Sequence, residues 1–302
     1  DGSFFTDSHG NVTSHLIGLY TRTTHLMKLG IKPVYVFDGE VPKLKKLEIR
    51  RRAEAKAEAA VKYAAAEKEG AVEEMRKYAA RSTRLTREMI SDAKEVIEAL
   101  GLPVVQAPSE GEAQAAHMVA KTDAYAIASQ DADSLLFGAS RVVRNLSVEG
   151  RRKQAGVLGY THVAPELIIL NDVLASLGIT QQQLICLAML VGTDYNTGGI
   201  RGVGPKTALK LVKEHKKPSE LFTAVDWNKY FEYPWQDVLG LFEHPGTIDD
   251  YELKFNPINK SNLIKILCGK HDFSPQRVDS ALGELEKSFT EKKQKGLGDF
   301  FS

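Results

Sequence analysis

Residues 107–137 place a helix start beside a strand end and mark each with a pair of carboxylates. Ser109-Glu110-Gly111-Glu112 opens a helix-like run through residue 120, and residues 124–128 read as a short buried strand running straight into Gln130-Asp131-Ala132-Asp133. In an open α/β sheet such element ends meet at the ligand crevice, so four acids here make a candidate hard-cation site. A purely structural reading covers the same residues. Ser109 and Glu112 fit a capping box, and Asp131 and Asp133 suit a turn. Neither pair decides the matter alone.

The next constraint lies upstream. Val34-Tyr35-Val36-Phe37 has no polar alternation, and a strand of that kind is buried on both faces, as in a parallel sheet between helices. It ends in Asp38-Gly39, which makes Asp38 a third strand-end acid, although a lone Asp-Gly also suits a turn. Residues 12–30 carry apolar side chains at helical spacing and stop at Gly30. Residues 181–191 form an apolar helix ending in Gly192-Thr193-Asp194-Tyr195, which adds one more acid at an element end. The expected class is α/β, with a mostly parallel central sheet flanked by helices.

Residues 43–98 change character. Lys43, Lys45, Lys46, Arg50, Arg51 and Arg52 face a single Glu48 before an Ala/Glu/Lys-rich run broken at Gly70, which predicts a helical hairpin or arch. A mixed-charge helix is often only a solvated face, but Lys45 and Arg52 lie two turns apart and share one side directly after Asp38. Cations next to a carboxylate cluster are what a phosphodiester substrate needs. Residues 141–146 read as another strand and Arg151-Arg152-Lys153 as a basic loop.

Gly198-Gly199-Ile200-Arg201-Gly202-Val203-Gly204 precedes Pro205-Lys206-Thr207 and a further helix. The register of a nucleotide-binding P-loop fails, because Pro205 intervenes before Lys206 and no strand precedes the glycines. The alternatives are a tight inter-helix turn with no ligand, or a turn whose N–H groups, around Gly202, Gly204, Lys206 and Thr207, accept a nucleic-acid phosphate without reading bases.

A net charge of +1 with 43% hydrophobic residues points to a globular chain whose phosphate-binding surface must come from segregated charge. The two cysteines, Cys186 and Cys268, sit in apolar predicted helices, which argues against a disulfide framework or a zinc site. No apolar run is long enough for a bilayer, so no membrane partner is expected. Residues 215–290 read as mostly helical, and the last residues include two adjacent phenylalanines, Phe300 and Phe301, that call for a covering partner.

Four motifs in order carry a resemblance: Val34–Gly39, residues 107–115, residues 129–136 and residues 191–195. Together they resemble the structure-specific 5′-nuclease family, and within it the archaeal flap endonucleases. The resemblance implies a PIN-like nuclease core over residues 1–194, with an arch over 43–98 that passes a single-stranded 5′ flap. It implies a helix-two-turn-helix DNA-binding region over 195–290 and a clamp-binding tail over 291–302. It further implies two Mg²⁺ or Mn²⁺ ions held by Asp38, Glu110, Glu112, Asp131, Asp133 and Asp194, with Lys45 and Arg52 at the scissile phosphate. Gly199, Ile200 and Val203 match carbonyl donors to K⁺, and Gln294, Leu297, Phe300 and Phe301 match a sliding-clamp box of the PCNA-binding kind. The all-carboxylate set independently suits Mg²⁺ or Mn²⁺ better than zinc.

The expected activity is removal of 5′ flaps from branched DNA, with 5′-3′ exonuclease activity beside it, by a protein that is monomeric when free and works in a prokaryotic cytoplasm, or in the nucleus of a eukaryote. A gap, bubble or junction nuclease and a non-catalytic clamp-tethered DNA-binding module are the rival expectations. The resemblance also implies a further strand and ligand aspartate ahead of Asp1, and the absence of an initial methionine fits a sequence that begins after them.

Overall fold

Local sequence explains most element boundaries in the computed structural model, which describes residues 5–68, 85–147, 150–153 and 160–298. The first helices are α1 (Ser14–Lys28), then strand β1 (Tyr35–Phe37), α2 (Lys45–Lys68), α3 (Arg87–Ala99) and strand β2 (Val104–Gln106). Next come α4 (Gly111–Ala120), β3 (Ile127–Ala128), the one-turn α5 (Asp133–Leu136), β4 (Arg141–Arg144), β5 (Gly150–Lys153), β6 (Tyr160–Val163) and β7 (Glu166–Ile169). The remainder is helical: α6 (Leu170–Leu177), α7 (Gln181–Val191), α8 (Pro205–Glu214), α9 (Pro218–Ala224), α10 (Trp235–Glu243), α11 (Lys260–Ile264) and α12 (Pro275–Gly298). Between α11 and α12, residues Lys265–Lys270 wind as a π-helix.

The sheets are small. β1 pairs with β2, β3 runs parallel to β4, and β7 closes that second sheet antiparallel, with Val142 opposite Ile168 and Arg144 opposite Glu166. β5 and β6 form a separate antiparallel pair. Arg151-Arg152-Lys153, expected as a basic loop, is therefore a strand. A partner at Tyr160–Val163 supplies the ladder that composition alone did not announce.

The chain divides into two compact units. One comprises Asp1–Tyr35, Arg52–Val105 and Tyr251–Ser302. Its core gathers Leu16 and Tyr20 of α1, Val96 and Ile97 of α3, Leu263 of α11, Ile266 and Leu267 of the π-helix, and Val278, Leu282 and Leu285 of α12, all buried. α3 thus closes residues 43–98 as an amphipathic core helix, capped where Thr86 Oγ1 accepts from Met89 N at 3.2 Å. Residues 69–84, the centre of the expected arch, lie outside the described residues.

The other unit comprises Val36–Arg51 and Gln106–Asp250. α7 to α10 pack around Met189, Leu190, Phe222, Trp227 and Phe242, with Phe222 edge-on to Trp227 at 5.1 Å between ring centroids. α7 begins with a capping box between Thr180 and Gln183. A second cluster of Ala116, Val119, Ile127, Ala139 and Val142 seats α4 on the sheet of β3 and β4.

Candidate functional site

The predicted acids all belong to the second unit and sit at element ends, as anticipated. Asp38 follows β1, Glu110 is the N-cap of α4 and Glu112 lies in its first turn; Asp133 opens α5 two residues after Asp131, and Asp194 follows the C-cap of α7.

Asp38 is held from two sides. Its Oδ1 accepts the Gly111 N–H at 2.7 Å, and Gln106 Nε2 donates to its backbone carbonyl at 2.7 Å. A Cβ on residue 111 would stand 2.9 Å from that Oδ1, so glycine keeps the approach open. The helix dipole of α4 is thereby spent on Asp38 from another segment. The capping box expected from Ser109 and Glu112 does not form, because Glu110 takes the N-cap position and makes no side-chain cap bond. Ser109 Oγ donates to the Glu40 carbonyl at 3.2 Å, while Glu112 Oε1 accepts from Ser129 Oγ at 2.6 Å.

Ser129 links the two carboxylate pairs. Its Oγ also accepts the Asp131 N–H at 3.0 Å, and Asp131 Oδ1 accepts the Asp133 N–H at 3.2 Å. Asp194 is presented by a tight corner in which Asn196, fully buried, accepts from Thr193 N and Thr193 Oγ1 at 3.2 and 2.6 Å and donates to the Met189 carbonyl at 2.7 Å. The Lys45 ammonium closes the arrangement, 2.7 Å from Glu110 Oε2 and 3.3 Å from Asp194 Oδ2.

The electrostatics follow from crowding. Burial, followed by the charges of Asp131, Glu112 and Asp194, pushes Asp133 up to about 7. Burial also raises Glu112; the Ser129 bond opposes that rise and the Asp131 charge reinforces it. For Lys45, burial alone would lower the pKa, but the Glu110 hydrogen bond and the charges of Glu110 and Asp194 outweigh it and hold the ammonium above the ordinary lysine range. Burial drives the Tyr195 phenol far upward; the charges of Glu110, Asp133 and Asp194 add to this, as does its hydrogen bond to Glu110.

Among the described residues no three His, Cys, Asp or Glu side chains converge closely enough to grip one ion, and the nearest positive charge is Lys45 itself. The donor chemistry nonetheless fits a hard divalent cation. It is carboxylate only, and Asp133 holds a proton near neutrality because it is buried and its neighbours are negative, a condition that a bound cation relieves.

The other predicted residues fall as follows. Arg52 lies on α2 two turns beyond Lys45, with its side chain outside the described residues. Gly199 has φ +57°, and a Cβ there would meet the Leu190 carbonyl at 2.4 Å, so the turn after Asp194 tolerates only glycine at that point. Gly202 has φ +85°, Ile200 is buried, and the Ile200 carbonyl accepts the Val203 N–H at 3.0 Å. α8 starts with Gly204 as an N-cap without a side chain and with Pro205 in its first turn, leaving the N–H groups of exposed Lys206 and Thr207 without intrahelical acceptors. Gln294 and Leu297 lie on α12 with side chains outside the described residues, and Phe300 and Phe301 lie outside them altogether.

Sequence reasoning missed Ser129, Gln106, Tyr195 and Asn196. The available signal was proximity: Ser129 is two residues from Asp131, and Tyr195 and Asn196 directly follow Asp194.

Comparison with known proteins adds independent findings. Residues 5–59 match the XPG N-terminal domain and residues 101–194 the XPG I-region. Flap endonuclease 1 of Pyrococcus abyssi is 49% identical over 301 residues, spanning 100% of this chain and 86% of that protein. Flap endonuclease 1 of Aeropyrum pernix is 49% identical over 97% of this chain and 83% of its own length. The solved flap endonuclease-1 from Methanococcus jannaschii superposes with a TM-score of 0.72 at 39% identity, covering 97% of this chain and 87% of that one.

Proposed function

The chain belongs to the flap endonuclease 1 family, and from that membership we propose how its residues share the work of cutting a 5′ flap. It is a structure-specific endonuclease that acts on branched DNA in replication and repair. Asp38, Glu110, Glu112, Asp131, Asp133 and Asp194 hold two divalent cations, Mg²⁺ or Mn²⁺, directly or through water. When bound, such ions supply Lewis-acid polarisation of the phosphodiester and an activated water.

The protein's own part is binding and placement. Asp38 and Glu112 arrive with one oxygen already engaged, by Gly111 N and Ser129 Oγ, so their remaining lone pairs are aimed instead of free to rotate. Lys45, and Arg52 two turns along the same helix, set positive charge against the phosphate that is cut. The observation that carries this reading is the Lys45 ammonium between Glu110 and Asp194: a cation stands where acids and phosphate must share one crevice.

The glycine turn of residues 198–204 supports phosphate binding on the duplex by Gly202, Gly204, Lys206 and Thr207, and K⁺ binding by the carbonyls of Gly199, Ile200 and Val203. The tail residues Gln294, Leu297, Phe300 and Phe301 dock a sliding clamp of the PCNA type, and the protein is a monomer when free. The archaeal relatives support a cytoplasmic setting.

Cleavage of matched flap, bubble and four-way-junction DNA by Asp131→Ala tests the reading. The expected result is flap cleavage reduced by orders of magnitude with flap binding retained. Undiminished cleavage by Asp131→Ala would remove the proposed ligand set.

A further inference from the structure

α2 begins with a carboxylate that its composition does not explain. The helix is rich in lysine, arginine, glutamate and alanine, yet Glu48 in its first turn is only 3% exposed. A carboxylate so enclosed is costly unless polar groups meet it. One of them is Thr197, whose Oγ1 donates to Glu48 Oε2 at 3.1 Å. Thr197 follows the Thr193–Asn196 corner that presents Asp194, and it directly precedes Gly198 and Gly199.

Lys45 lies three residues before Glu48, on the same side of the helix. That single turn therefore has two polar fixed points. Lys45 reaches Glu110 and Asp194, at 2.7 and 3.3 Å, and Glu48 grips the chain three residues beyond Asp194. Leu44, partly buried on the core of α7 to α10, adds an apolar contact just before the helix. Leu44 sets how closely the turn approaches, whereas the directional Thr197 bond sets its rotation, and rotation decides where an ammonium on a long flexible stem can go.

We infer that Glu48 is a positioning residue for the cleavage reaction. It docks the first turn of α2 on Thr197 and so holds the Lys45 ammonium against Glu110 and Asp194, where the phosphate to be cut is bound. The inference rests on the reading of Lys45 given above. It also makes the glycine turn and the Lys45 helix one mechanical unit, because Thr197 is the first residue of the segment leading into the proposed duplex-phosphate contacts.

The test is single-turnover cleavage of a 5′-flap duplex by the full-length protein at saturating enzyme, with flap affinity and thermal unfolding measured in parallel. The variants are Glu48→Ala, Glu48→Gln, Thr197→Val, Lys45→Ala and the double variant Glu48→Ala/Lys45→Ala. A displaced ammonium is expected to slow Glu48→Ala roughly tenfold or more, with flap affinity changed less than about threefold. Glu48→Gln keeps an acceptor for Thr197 and recovers part of the rate. Thr197→Val, at an exposed position, slows cleavage in the same direction without lowering the unfolding temperature. The double variant is no slower than Lys45→Ala alone, because Glu48 acts through Lys45. Wild-type rates in both Glu48→Ala and Thr197→Val overturn the inference, and so does a Glu48→Ala loss that multiplies onto that of Lys45→Ala. An unaltered rate in Lys45→Ala overturns the assignment of Lys45 itself, a result distinct from an active Glu48→Ala beside an impaired Lys45→Ala.

Discussion

Ser129 Oγ donates to Glu112 Oε1 at 2.6 Å while accepting the Asp131 N–H at 3.0 Å, so one hydroxyl spaces two proposed ligands that belong to different elements. Removing it leaves both carboxylates in place but frees the Glu112 rotamer. Side chains that orient metal ligands typically change metal affinity by about 10–100-fold when lost. Ser129→Ala is therefore expected to raise the Mg²⁺ concentration for half-maximal flap cleavage by roughly tenfold, while the rate at saturating Mg²⁺ stays within about threefold of wild type. An unchanged Mg²⁺ midpoint would show that Glu112 needs no such guide.

Gly111 makes a second prediction. It occupies the first position of α4 with an ordinary helical backbone, where alanine would normally be favourable. Here a Cβ would come within 2.9 Å of Asp38 Oδ1 and push the carboxylate off the Gly111 N–H. Gly111→Ala should then lose at least about tenfold in cleavage, with a stability cost of no more than about 1–3 kcal/mol, the usual range for local overpacking. Chemical denaturation and flap cleavage of the same variant separate the two effects. A large unfolding shift with normal specific activity would contradict this account.

These two cases show what could be read in the chain and what could not. The acids were legible because aspartate and glutamate stood at the ends of apolar runs, and α1 and α7 were legible from apolar spacing bounded by glycine. The hydrogen bonds that aim the acids were not. Ser129 lies 17 residues from Glu112, Gln106 lies 68 from the Asp38 carbonyl, and Asp38 lies 73 from Gly111, so each contact exists only once the chain has reversed. Ser109 and Glu112 have the spacing of a capping box yet do not form one, whereas Thr180 and Gln183 do. The difference is competition: Asp38 already occupies the α4 N-terminus, whereas at α7 the Thr180 hydroxyl itself accepts the Gln183 N–H. The β5–β6 pair was missed because three consecutive basic residues carry no strand signal without their partner.

His15 gives a stability prediction. Burial lowers its pKa below the ordinary 6.5; the Asp92 charge opposes the shift and the His271 charge adds to it. His271 Nε2 in turn lies 3.3 Å from Asp92, and its Nδ1 lies 3.9 Å from Asp7. With the folded-state pKa depressed, the unfolded chain takes up the proton first as pH falls. The His15 contribution is thus fully present above about pH 6.5 and is lost as pH drops through the lowered folded value. Asp133, raised to about 7, works in the opposite sense over the same range, so the His15 contribution shows as a difference: between about pH 7.5 and 5.5 the unfolding temperature of His15→Gln should fall less, or rise more, toward acid than that of wild type. Equal slopes in the two proteins would mean that another group governs this range.

Lys45 supplies the last prediction, which concerns the protein before any metal or DNA arrives. Its ammonium lies 2.7 Å from Glu110 and 3.3 Å from Asp194, and its own pKa is held up by them against the lowering effect of burial. Lys45→Met keeps the aliphatic stem and removes the charge, leaving Glu110 and Asp194 without that counter-ion beside an Asp133 whose carboxyl burial and like charge already push upward. The metal-free variant should therefore unfold at lower temperature than wild type. Mg²⁺ binding to the folded state should then restore stability through mass action, and by more than in wild type, because the cation no longer competes with the ammonium for the same oxygens. Unfolding followed across a Mg²⁺ titration measures both effects at once. A smaller Mg²⁺-induced rise in Lys45→Met than in wild type would mean that Lys45 helps to build the cation site; a larger rise means that it substitutes for the cation until one binds.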